Sequence, residues 1–212
     1  MNVAISYSFD EVIGEICGLR WSSLTREELT EVAWAYYYFS IQFRENLQIA
    51  RGIYPDDPKL RQLEQEECNT DNLSPWPDVA APQEKLDHDE FMRRLLELSP
   101  IDERRRSHLE EIGRAYLEKI REIQLQTRAA SIASYEDGGL ERVFKAFLTA
   151  PDWSSPLLAA FRHFLAEHIR FDSDPEQGHG ALSRHITVDD RILPVWMQFK
   201  QLLIESVSAL ET

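Results

Sequence analysis

Along most of the chain, apolar residues recur at three- and four-residue intervals, which is the period of an α-helix and not of a strand. Thr25 followed by Glu28 forms a capping-box pattern that opens a long apolar and aromatic stretch through Trp34, Tyr37, Ile41 and Leu47. Pro55 and Pro58 interrupt it, and a second helix is predicted near 58–68. The stretch from Asn69 to Pro82 carries three prolines without periodicity and reads as a loop. Helical patterns follow over Pro82–Leu98, from Ser99 through Arg121 and past Ser131, over Leu140–Leu148, from about Ser154 to Phe171, and from a Thr187 cap to about Ala209. Gly138-Gly139 predicts a kink. No alternating run bounded by turn signals reads as a strand. The expectation is an all-α compact bundle of about seven helices, in one domain spanning residues 1–212.

Polar residues placed where an apolar residue belongs point to chemistry. One stripe reads Ile132, Glu136, Leu140, Val143, Phe147, and another reads Phe161, Leu165, His168, Phe171, with Asp172 one turn beyond His168. Glu84 and His88, also four apart, precede Phe91, Leu95 and Leu98 on one face. Burying several carboxylates costs several kcal/mol per ion unless they are paired or bind a cation. Helices facing one another in a bundle can supply Glu and His ligands to one metal centre, and this donor mixture suits iron or manganese. Structural explanations stand beside this one. His168 could be a hydrogen-bonded core histidine, and Glu84 could occupy an exposed first turn. Glu136 could pair with Arg128 or Arg142, and Asp172, Asp174 and Glu176 could form a solvated acidic loop.

Composition narrows the function classes. A net charge of -14 disfavours nucleic acid and anionic membranes as partners. Two cysteines, Cys17 and Cys68, exclude a disulfide scaffold and fit a reducing compartment. No apolar run approaches the ~18 residues of a membrane span, and no signal peptide is evident, so the expected location is the cytoplasm. There is no phosphate-binding glycine loop and no nucleophile elbow.

The segment His-Ile-Arg-Phe-Asp-Ser-Asp-Pro-Glu-Gln-Gly-His-Gly-Ala-Leu, from His168 to Leu182, resembles the last metal-binding helix of the haem-oxygenase-like diiron oxidases and oxygenases. Gln83 to Phe91 is similar to that family's Glu…His…Phe helix, and Ser134 to Phe144 to its middle glutamate-bearing helix. The resemblance implies His88, Glu136, His168, Asp172 and His179 as metal ligands. Glu84 or Asp71 would be the early carboxylate, and Glu45 is either an extra carboxylate or an ordinary exposed helix residue. Glu136 would be shared between two ions and thus catalytic. The family's Asp-x-x-His spacing is not kept, because Asp172 and His179 are seven apart. Either residues are inserted there, or Glu176 replaces Asp172.

The resemblance further implies two Fe(II) ions (manganese as the alternative) and dioxygen as co-substrate. The other substrate would be a small molecule of amino-acid or fatty-acid type, in natural-product biosynthesis. A homodimer is compatible with it. The middle helix lacks the nucleophilic Cys of thiaminase-type members, and the first histidine, His88, is too late in the chain for haem oxygenase's proximal ligand. Two other readings stay open: a metal-free small-molecule-binding protein or cofactor-independent oxidase of the same fold, and a helical interaction protein with structurally paired polar groups.

Overall fold

The computed structural model describes residues 7–67, 75–172, 182–183 and 185–211. Among them the architecture is all-helical and compact, without strands, as the 3.6-residue pattern predicts. The α-helices are α1 (Phe9–Cys17), α2 (Arg26–Ile53), α3 (Pro58–Glu67), α4 (His88–Leu96), α5 (Glu103–Arg121), α6 (Leu125–Ser134), α7 (Leu140–Phe147), α8 (Pro156–Asp172) and α9 (Leu193–Ser206). A π turn, Tyr135–Gly139, joins α6 to α7. The count exceeds seven mainly because two elements differ from the periodicity. Helix α1 is additional, and the pattern running past Arg121 is cut at 122–124, where Gln124 leaves helical geometry. No described helix is long and apolar enough to cross a membrane.

Helix α2 is the spine. Its 28 residues rise about 42 Å. The Thr25–Glu28 capping box forms as predicted: each residue's side chain takes a backbone amide of the other. The helix is buried nearly all round, and α3, α4, α5, α6, α8 and α9 all pack on it. A helix covered on every side needs small or flat residues where backbones approach. Gly113 of α5 meets the Tyr38 ring so closely that a Cβ there would lie 2.2 Å from it.

Between α2 and α6 runs a buried polar network. Arg128 donates from Nε to Asn46 Oδ1 at 2.7 Å and from its terminal nitrogen to Glu45 at 3.0 Å, and Asn46 donates to Ser131 Oγ at 3.1 Å. Glu45 also receives Arg121 from α5 at 2.5 Å. Burial alone would push the Glu45 carboxyl up, but the two arginines outweigh it and hold it below the usual range. A lowered folded value means that the stabilisation is full above the unfolded carboxylate range and is lost as pH falls through the folded one. We expect Glu45→Gln to cost about 1–3 kcal/mol at neutral pH, by leaving the buried Arg128 charge undercompensated. Its deficit should shrink toward about pH 3. Urea unfolding at neutral and acid pH checks this: a deficit unchanged with pH would show that the ion pairs contribute nothing.

Candidate metal centre

Four side chains from four separate elements meet behind α2. Glu67 is the last residue of α3, His88 the first of α4, Glu136 lies in the π turn, and His168 is one turn before the end of α8. Together with Tyr36, Ser40, Phe43, Leu140 and Phe144 they line a cavity of about 20 Å³. Glu67, Glu136 and His168 are 4%, 6% and 5% exposed, and the His88 side chain 11%.

Each residue gets there for a local reason. Helix α3 presents Leu60, Leu63 and Glu67 on one inward stripe, so the carboxylate is carried in by two leucines. Helix α4 starts at His88, directly after the extended Asp87 at its N-cap position. Glu136 is turned inward by the π turn. Asp137 leaves helical geometry at ψ 48°, and Gly138 takes φ +91°, a left-handed value natural to glycine. The predicted kink is therefore present, and it puts Glu136 in the cavity. Arg128 is engaged with Glu45 and Asn46, and Arg142 with Asp10.

His168 donates from Nδ1 to the Phe164 carbonyl at 2.8 Å. A carbonyl can only accept, so Nδ1 carries the proton and the lone pair is on Nε2. This is the arrangement by which protein imidazoles are preset as metal ligands. His88 Nδ1 lies 2.8 Å from Glu67 Oε2, while its Nε2 is buried without a hydrogen-bond partner among the described residues. The His88 and His168 rings are 4.7 Å apart, nearly perpendicular. Glu67, His88 and His168 each offer a ligand atom within 4.8 Å of the other two. Ligands about 2.1 Å from one cation lie at most about 4.2 Å apart, so sub-ångström adjustment would close the set. Two imidazoles with one or two carboxylates suit iron or manganese. The orphaned His88 Nε2 is a donor that such a cation would use.

The sequence-predicted residues divide three ways. His88, Glu136 and His168 are brought together. Glu84 and Glu45 are placed elsewhere. The predicted helix from Pro82 starts only at His88; Gln83 has φ +67°, and Glu84 turns back to cap the Ala81 amide and to meet Arg94 at 2.7 Å. Glu84 is therefore not one turn before His88. Glu45 is committed to Arg121 and Arg128. Asp71, Glu176 and His179 lie outside the described residues, as does the side chain of Asp172, which ends α8. Glu67 is the residue that sequence reasoning missed. Comparison with protein-family models, curated proteins and solved structures finds no match.

Proposed function

We propose that this chain is a non-haem iron oxidase or oxygenase that uses dioxygen on a small organic substrate. The observation that carries the reading is the meeting of Glu67, His88, His168 and Glu136 in one buried cavity. Burying two carboxylates and two imidazoles side by side has a common cause if a cation joins them. Glu67, His88 and His168 would hold one ion, and Glu136, on the same cavity wall, could be shared with a second. The ligands of a second ion would be drawn from Asp172, Glu176 and His179. Manganese is the alternative metal.

When bound, iron would supply the electron transfer to dioxygen that no side chain here can perform. The chain's own residues set the conditions. The Phe164 carbonyl fixes the His168 tautomer and ring plane. Glu67 Oε2, 2.8 Å from His88 Nδ1, would orient the His88 ring and leave its Nε2 for the ion. Phe43, Leu140 and Phe144 keep bulk water out, which strengthens each electrostatic contact inside.

Anaerobic Fe(II) titration followed by dioxygen, watched by optical and Mössbauer spectroscopy, tests the reading and counts the ions. Affinity should fall steeply between about pH 7.5 and 5.5, where ordinary histidines take up protons in competition with metal. Isothermal titration across that range checks it, and a flat profile would remove histidine ligation. One observation favours a metal-free alternative: the His88–Glu67 contact at 2.8 Å already satisfies part of the cluster directly. Absence of any bound metal would make a metal-free ligand-binding helical protein the better reading.

A further inference from the structure

The cavity at the cluster, about 20 Å³, is far smaller than an organic substrate needs. Pockets that enclose small organic ligands run from about 300 Å³ upward, while a single water needs about 10–15 Å³. An ion, a water or a diatomic gas fits; an organic molecule enters only if part of the wall moves. The apolar wall residues are not equally able to do so. Phe144 is 1% exposed and wedged edge-on against Tyr36 at 5.5 Å and His168 at 6.3 Å. Tyr36 is clamped further by Phe39, Phe161 and Phe164, at 5.5–5.8 Å. Phe43 and Leu140 keep the most residual exposure of the apolar lining, 7% and 6%. Leu140 is also the first residue of α7, directly after the segment in which Asp137 and Gly138 abandon helical geometry. Its backbone lacks the continuous helical support that α2 gives Tyr36. Phe43 sits on α2 as well, so there the side chain is what turns: it meets Tyr135 at 5.9 Å, where Tyr36 meets four rings.

We propose that Leu140 and Phe43 form the entrance through which an organic substrate reaches the cluster. Leu140 and Phe43 are then specificity-determining residues, and the size of their side chains sets which substrates pass. The inference rests on the cavity being a metal centre.

The test uses iron-loaded protein oxidised to the ferric state. Azide and phenol serve as probes, each followed in stopped flow by the charge-transfer band it gives on binding ferric iron. Azide is slim and phenol carries a ring, so wild-type protein should bind azide faster. Leu140→Ala and Phe43→Ala should each raise the phenol rate roughly tenfold, the scale of removing a few methylenes from a steric wall, with the azide rate unchanged. Leu140→Phe should slow phenol. Leu158→Ala, at a fully buried position outside the cavity lining, is the control for general loosening. If Leu140→Ala fails to fold, Leu140→Val and Phe43→Ala carry the test. Normal azide binding with unaltered phenol rates in the entrance variants overturns the entrance and leaves the metal centre standing. Equal acceleration by Leu158→Ala also overturns it. Failure of wild-type protein to take up iron overturns both readings.

Discussion

Glu67→Gln is expected to weaken iron binding at least about 100-fold while leaving the helical content unchanged. The substitution keeps the volume of a side chain that is 4% exposed and removes one of the three mutually close ligand groups. Loss of supporting groups around a metal already costs roughly 10–100-fold, so loss of an anionic ligand should cost more. Helix α3 should persist, because Leu60 and Leu63 hold it to the core. His88→Ala and His168→Ala should give losses of the same order, and Glu136→Ala should lower stoichiometry if that carboxylate is shared. Glu84→Gln and Glu45→Gln are the informative controls, since those carboxylates are bound to arginines outside the cavity. Metal analysis after anaerobic loading, with circular dichroism on the same samples, gives the answer. Loss of iron in Glu84→Gln with retention in Glu67→Gln would mean that the wrong carboxylate has been placed in the site.

Gly139→Ala should be among the most destabilising single substitutions in the chain, by about 3 kcal/mol or more. A Cβ at this position would lie 2.1 Å from the Ser134 carbonyl oxygen and 2.9 Å from the Trp196 ring. Neither neighbour yields cheaply. The first is backbone, and the second is fully buried and held by its indole N–H to Ser134 Oγ at 3.0 Å. Overpacking a tight core costs about 1–3 kcal/mol where side chains can shift, and here a peptide group must move as well. The displaced peptide lies in the turn that aims Glu136, so residual folded protein should also bind metal less well. Gly138→Ala is the companion measurement. A Cβ there meets nothing within 4 Å, and only its φ of +91° is unfavourable, so the penalty should be about 1–2 kcal/mol. Thermal unfolding of both variants checks the order; a milder Gly139→Ala than Gly138→Ala would contradict the packing described around the π turn.

The parts of the fold legible in the sequence are those where one interaction dominates. The capping box at Thr25, the long apolar and aromatic stretch of α2 and the glycine kink follow from residue type and spacing. Glu136 and His168 were detectable because each interrupts a strong apolar stripe. Glu67 obeys the same rule, at the position after Leu60 and Leu63, but its helix reads Pro-Lys-Leu-Arg-Gln-Leu-Glu-Gln-Glu-Glu. Two leucines make a weak stripe, and several neighbouring carboxyl and amide side chains conceal the one that turns inward. Glu84 looked better because it precedes His88 by four residues, a spacing that means proximity only inside a helix. The loop conformation at Gln83 and the competing Arg94 guanidinium are tertiary facts that the spacing does not contain. The break at 122–124 was hidden for a similar reason: apolar positions continue at helical intervals across a short change of direction.

The four cluster residues come from chain positions 67, 88, 136 and 168, on α3, α4, the π turn and α8. A cation gripping all of them would therefore act as a cross-link, tying together segments that are otherwise joined only through long stretches of chain. Such a tie would hold in the folded chain only, because unfolding separates its ligands, so it would stabilise through its binding free energy to the folded state. Because the cation exchanges with solution, the effect would also depend on its free concentration, rising by RT ln(1 + [L]/Kd). The melting temperature of this protein should then be a readout of metal supply, and a chelator should lower it without any change in sequence.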